Sequence, residues 1–132
     1  MRTNCSITIY NKYLVNRIET WQRVQVESVQ WEQRHARNQN DSDDLATIYI
    51  PMTRGANYLK PRAWQALVSK SGKWTLQVGD VIVKSLVSNE LATGGFTLTS
   101  LKNTYDDVLV ITSVDTRDFG SANMQHWQVG AK

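Results

Sequence analysis

A single cysteine, Cys5, occurs in the 132 residues. That excludes an internal disulfide framework and any cysteine-based zinc site, and leaves a chain compatible with a reducing cytoplasm. In "CSITIY", Cys5, Ile7 and Ile9 alternate with polar neighbours, so Cys5 reads as a small apolar residue rather than a reactive thiol. No run approaches the roughly 18 apolar residues needed to span a bilayer, and no membrane partner is expected. The start, "MRTNCSITIYNKY", lacks the apolar core and small-residue cleavage site of a signal peptide, so export is not expected. There are only two histidines, His35 and His126, without H-E-x-x-H spacing, which argues against a transition-metal site. A dense block of one charge is missing too: 15 basic and 12 acidic residues are interspersed, for a net charge of +3. Such a balance is compatible with standing near duplex DNA without gripping it, and gives no sign of a sequence-specific reader. Internal repeats and low-complexity tracts are absent, and the length fits one domain, residues 1–132.

What the chain does contain is short β-branched runs between polar turns. In "KWTLQVGDVIVKS", Trp74, Leu76 and Val78 fall on one face. Gly79 then permits a reversal into Val81, Ile82 and Val83, which predicts a hairpin. "CSITIY" and "TIYIP" read as strands, the second ended by Pro51, which cannot donate to a ladder. "WQRVQVESVQWEQR" changes phase, Val24 and Val26 sharing one face and Val29 and Trp31 the other. A strand with a bulge near Glu27 and Ser28 reconciles them, because one extra residue re-aims every side chain after it. "VLVITSV" carries Val108, Val110 and Val114 on one face and Leu109 and Ile111 on the other. A strand apolar on both faces is covered on both, by a helix beginning at Pro61 or by a neighbouring subunit. The final strand, "MQHWQV", turns Trp127 and Val129 inward and pairs with the preceding one through Arg117-Asp118-Phe119-Gly120. Two short helices are predicted. One covers residues 61–69, with Pro61 at its first position and Ala63, Trp64, Leu67 and Val68 as its stripe. The other is capped by Thr99 or Ser100 and ends near Tyr105. Residues 33–44, "QRHARNQNDSDD", form a long polar loop that cannot bury itself. The fold class is mainly β: a small antiparallel β-barrel or sandwich with one or two short helices and that loop. Its expected core comprises Trp31, Ile48, Trp64, Trp74, Leu76, Val81, Val83, Val110 and Trp127.

Arg117, Asp118, Ser121 and His126 lie within ten positions and invite a catalytic reading. Against it, an Asp close before a glycine is ordinary turn chemistry, His126 lies opposite Trp127 on its strand, and Ser121 has no strained elbow around it. "NDSDD" lacks the glycine and distal glutamate of a calcium loop, and "GANYLKPR" and "ATGGFT" lack the Lys-Ser ending of a phosphate cradle. Neither catalytic residues, metal ligands, cofactor nor small-molecule substrate are expected. Trp31, Trp64, Trp74 and Trp127 fall on apolar faces and read as core rather than as a stacking platform. Tyr10, Tyr49 and Tyr58 are candidates for an interface, where a ring apolar at one end and wet at the other is useful.

The second half is more specific. "WTLQVGDVIVKS", "YDDVLVITSVDTRDFGS" and the terminal "HWQVGAK", within roughly residues 46–132, resemble a family of small structural proteins. Members of that family are encoded in the head-to-tail (neck) gene cluster of tailed bacteriophages of Gram-positive bacteria, and they are similar to head-closure, or stopper, proteins. The resemblance implies a virion structural protein made in the bacterial host cytoplasm. It would form a ring of about six or twelve copies around the DNA channel and join the portal-bound adaptor to the tail. It also implies that residues 33–44 form a segment that faces the channel or bridges subunits. Facing the channel, Arg34, Arg37 and Arg54 would meet phosphates, and Asp41, Asp43 and Asp44 would keep that contact non-sticky. Subunit contacts are expected at strand edges: Ile7, Ile9 and Tyr10 at one, Met124 and His126 at the other, with Tyr49, Tyr58 and a docking arm over Met52–Lys60. Two alternatives remain open: a tail-terminator ring protein, and an OB-like module for single-stranded nucleic acid.

Overall fold

In the computed structural model, which describes residues 5–33, 46–91, 95–121 and 124–132, the first strands form one long hairpin. β1 (Cys5–Val15) and β2 (Ile18–Gln33) reverse at Asn16 and Arg17, with φ of 51° and 66°. This is the left-handed pair that matches the twist of the flanking strands. β3 (Ala46–Pro51) adds to the far end of β2, then β6 (His126–Ala131), β5 (Val108–Arg117) and β4 (Val81–Val83) follow. The short β4 returns to β1, closing an antiparallel barrel in the order β1-β2-β3-β6-β5-β4. Closure is uneven. β4 meets β1 only at Thr8–Tyr10, and β3 meets β2 only at Gln30–Gln33, so the turn end of the first hairpin continues beyond the barrel wall as a two-stranded ribbon.

The change of phase in β2 is the expected bulge. Cys5 faces Val29 while Ile7 faces Val26, and Ser28 takes φ 63°. The extra residue on β2 lets Val26, Val29 and Trp31 all enter the barrel with Ile7, Ile9, Ile48 and Val129. A second bulge lies in β5, where Ile111 faces Ala131 and Ser113 faces Gly130. It turns Val114 inward beside Leu109, not onto the face of Val108 and Val110 as simple alternation expects. Val110 is only partly buried, which removes it from the expected core; the other eight residues of that set are buried.

A second apolar layer covers one outer wall of the barrel. Tyr10, Val81, Val83, Val87, Leu91 and Leu101 are buried together, with Phe96, Tyr105 and Val108 packed against them. The outward cover of β5 is therefore Val87, Leu91 and the chain from Phe96 to Tyr105, including α2 (Leu98–Thr104), and not the Pro61 helix. Thr97, one turn earlier than expected, caps α2: its hydroxyl accepts from Ser100 N at 3.3 Å. α1 spans Pro61–Gln65 and does not reach residue 69. Lys70 Nζ donates to Gln65 O and Leu67 O, satisfying carbonyls at its end, and Val68 is fully exposed, so no apolar stripe extends the helix.

The predicted hairpin over residues 73–85 does not form. Trp74 and Leu76 are buried but Val78 is 68% exposed, and β4 pairs with β1 and β5 rather than with residues 74–78. The reason is local. The Asn11 side chain donates to Thr75 O at 2.7 Å and accepts from Thr75 N at 3.1 Å, taking the backbone groups a neighbouring strand would need. Gly79, at φ 96°, still makes the reversal.

Candidate functional site

Among the described residues of the closing stretch, Arg117, Asp118, Ser121 and His126 are not drawn into one hydrogen-bonded set. Ser121 is exposed in a turn, its carbonyl accepting from Met124 N. His126 Nδ1 meets Met124 O at 2.9 Å, and its ring lies edge-on to Tyr49 at 5.6 Å. Asp118 is exposed at the rim of a cleft. No hydrogen bond among the described residues joins Arg117, Asp118, Ser121 and His126, and no described group of three or more His, Cys, Asp or Glu could hold a metal ion.

A cleft of about 530 Å³ lies beside Asp118, with Met52, Tyr58, Leu76, Val114 and Trp127 in its wall and Lys60 and Asp118 among its polar lining. An aromatic cluster builds it. Tyr58 lies 4.4 Å from Trp127 and 5.2 Å from Trp74, and the two tryptophans are 5.8 Å apart, centroid to centroid. Trp74 and Trp127 are buried, leaving half-buried Tyr58 as the ring at the surface. Burial pushes the Tyr58 hydroxyl up, opposed by the Thr75 side chain. The segment Met52–Lys60, expected as a docking arm, is laid across the barrel: Tyr58 bridges Trp74, Met52 N donates to Gln125 O, and Leu59 N to Trp74 O. A Cβ on Gly55 would stand 2.7 Å from Trp127 Cη2, so this close approach requires glycine. Arg54 is exposed and lines a second, smaller cleft with Val26, Asn57 and Trp74.

The residues expected at subunit contacts divide. Ile7, Ile9 and Tyr10 are fully buried: β4 and the outer layer cover the strand that the sequence presents as an edge. Tyr10 OH donates to Asn89 O at 2.7 Å, and burial pushes its hydroxyl up to about 12. Met124 is 66% exposed, while Tyr49, Tyr58 and His126 are partly exposed. Arg34, Arg37, Asp41, Asp43 and Asp44 lie outside the described residues. Cys5 is half-buried against the core, and desolvation raises its thiol against the pull of Lys84.

Sequence reasoning missed the ribbon tip. Leu14 and Ile18 are 63% and 59% exposed, with Val15 beside them, and a Lys12–Glu19 ion pair at 3.0 Å braces the ribbon below the turn. The signal was present in "YLVNRIET", where three aliphatic residues flank a two-residue turn with no other element in reach. A buried hub holds the ribbon's base. The Asp80 carboxylate accepts from Asn11 Nδ2 at 2.7 Å, Lys12 N at 3.0 Å and Gln77 Nε2 at 3.2 Å. Burial raises the Asp80 pKa above its ordinary value, the hydrogen bonds opposing the shift.

A protein-family model matches residues 2–132, nearly the whole length. The chain belongs to DUF6751, a family of unknown function. No curated protein matches it, and no solved structure does. For this DUF6751 chain, function has to be argued from the barrel, its cleft and the ribbon. Among the described residues, no helix is long and apolar enough to cross a membrane.

Proposed function

We propose that this protein acts by adhesion: a virion structural protein of the phage neck, of the head-closure type. It would form a ring around the DNA channel and join the portal-bound adaptor to the tail. The observation that carries the reading is the β1–β2 ribbon, which leaves the barrel wall and presents Leu14, Val15 and Ile18 to solvent. Exposed aliphatic residues gathered at the end of a braced projection mark a contact surface. The phage setting is supported by the resemblance of "WTLQVGDVIVKS", "YDDVLVITSVDTRDFGS" and "HWQVGAK" to neck proteins. Exposed Arg54 suits passing proximity to DNA phosphates. The OB-like alternative is less well supported, because Trp74 and Trp127 are only 2% and 6% exposed and offer little ring face for stacking bases.

The test is a reconstruction of the intact particle carrying this chain. The expected result is a closed circle of copies around the genome's exit path, between portal and tail. A ring capping the tail tube alone would favour the tail-terminator role, and copies found elsewhere would overturn the neck assignment. An oligonucleotide titration at two salt concentrations adds a second check: tight, salt-sensitive binding of single strands would favour the OB-like reading.

A further inference from the structure

We infer that the ribbon tip of one copy seats in the Met52–Trp127 cleft of the next, so that the chain carries both halves of one head-to-tail contact; this rests on the adhesive function proposed above. Three observations lead there. The tip and the cleft match in character, since Leu14, Val15 and Ile18 are exposed aliphatics and the cleft wall is made by Met52, Tyr58, Leu76, Val114 and Trp127. The cleft holds one cation, exposed Lys60, and one anion that a cationic tip can meet. Arg17 stands in the turn of the tip, and exposed Asp118 lines the cleft.

The third observation is the choice of residue at the turn. Arg17 takes φ 66°, a conformation for which glycine is favoured in a two-residue hairpin. Keeping a long cation there is unfavourable for the isolated hairpin, and strain of this kind collects at sites of use. The two patches flank α1: Trp64 stacks edge-on against Tyr13 of the ribbon at 5.6 Å, while Pro61 lines the cleft. A protomer thus leaves its own tip exposed and its own cleft open. Two different patches on one chain make a heterologous contact, which propagates until the rotation closes it into a ring.

The experiment measures mass by analytical ultracentrifugation of the full chain over a range of concentrations. The samples are wild type, Arg17→Asp, Asp118→Arg, and an equal mixture of the two variants. Wild type is expected to self-associate. Each variant alone sets like charges against each other and weakens association roughly tenfold. The mixture restores it, because the acidic tip of one variant meets the basic cleft of the other, and the unaltered tip meets the unaltered cleft. Both substitutions lie on exposed residues, and circular dichroism melts confirm that each variant folds. Undiminished association of the single variants, or a mixture no better than either alone, overturns the tip-to-cleft contact while leaving a ring through other surfaces intact. A wild type that stays monomeric at every concentration also overturns it; the particle reconstruction decides the neck assignment separately.

Discussion

Asp80 is a buried carboxylate whose hydrogen-bond donors, Asn11 Nδ2, Lys12 N and Gln77 Nε2, are all uncharged. Desolvation outweighs these hydrogen bonds and its pKa rises above the ordinary 3.8. The sign of the consequence follows. The folded state keeps this proton to higher pH than the unfolded state does, so stability falls as pH climbs from the unfolded value through the raised folded one, then levels off. Urea unfolding of wild type and Asp80→Asn across that range is expected to show this fall in wild type and to lack it in the variant; superimposable profiles would remove Asp80 as the source. At neutral pH Asp80→Ala is expected to cost about 1–3 kcal/mol, since its three donors lose their acceptor. The same chemistry explains a misreading. The pattern of Trp74, Leu76 and Val78 is that of a strand, but Asn11 captures the backbone of Thr75, and alternation carries no sign of a side chain that stands in for a neighbouring strand.

At the scale of elements, legibility depended on whether a bulge changed a visible phase. β2 is apolar on one face at a time, so the shift from Val24 and Val26 to Val29 and Trp31 showed in the sequence, and Ser28 at φ 63° is its structural counterpart. β5 is apolar on both faces, so its slip between Ile111 and Ser113 left no mark, and Val114 was placed on the wrong side. Ser28→Val is the sharp test of the first bulge. A β-branched side chain disfavours the positive φ at this position, and the change is expected to cost about 1–3 kcal/mol. Ser28→Gly, which suits the positive φ, is expected to match or exceed wild type in a thermal melt. Equal stability of Ser28→Val would show that the bulge does not depend on the backbone conformation at this residue. Pro61 marks the start of α1 correctly by its chemistry, while α2 is capped by Thr97 and not by Thr99 or Ser100; the end of α1 is set by Lys70 reaching back to Gln65 and Leu67, a tertiary detail the apolar stripe does not encode.

For the whole molecule, the class of fold was readable from strand patterning, and the candidate site was not. Ile7, Ile9 and Tyr10 looked like an edge because the sequence does not say that the three-residue β4 closes the barrel over them. What closure leaves outside is the ribbon, longer than the barrel needs and apolar at its tip. Adhesion through that ribbon would shield its amides, and hydrogen exchange compared between dilute and concentrated protein reads that shielding residue by residue. Amides from Lys12 to Arg23, and those of Val114 to Asp118 at the cleft, are expected to slow on association while those of Ile48 and Val129 in the barrel do not change. Slowing confined to other segments, or none at all at concentrations where the mass rises, would contradict it.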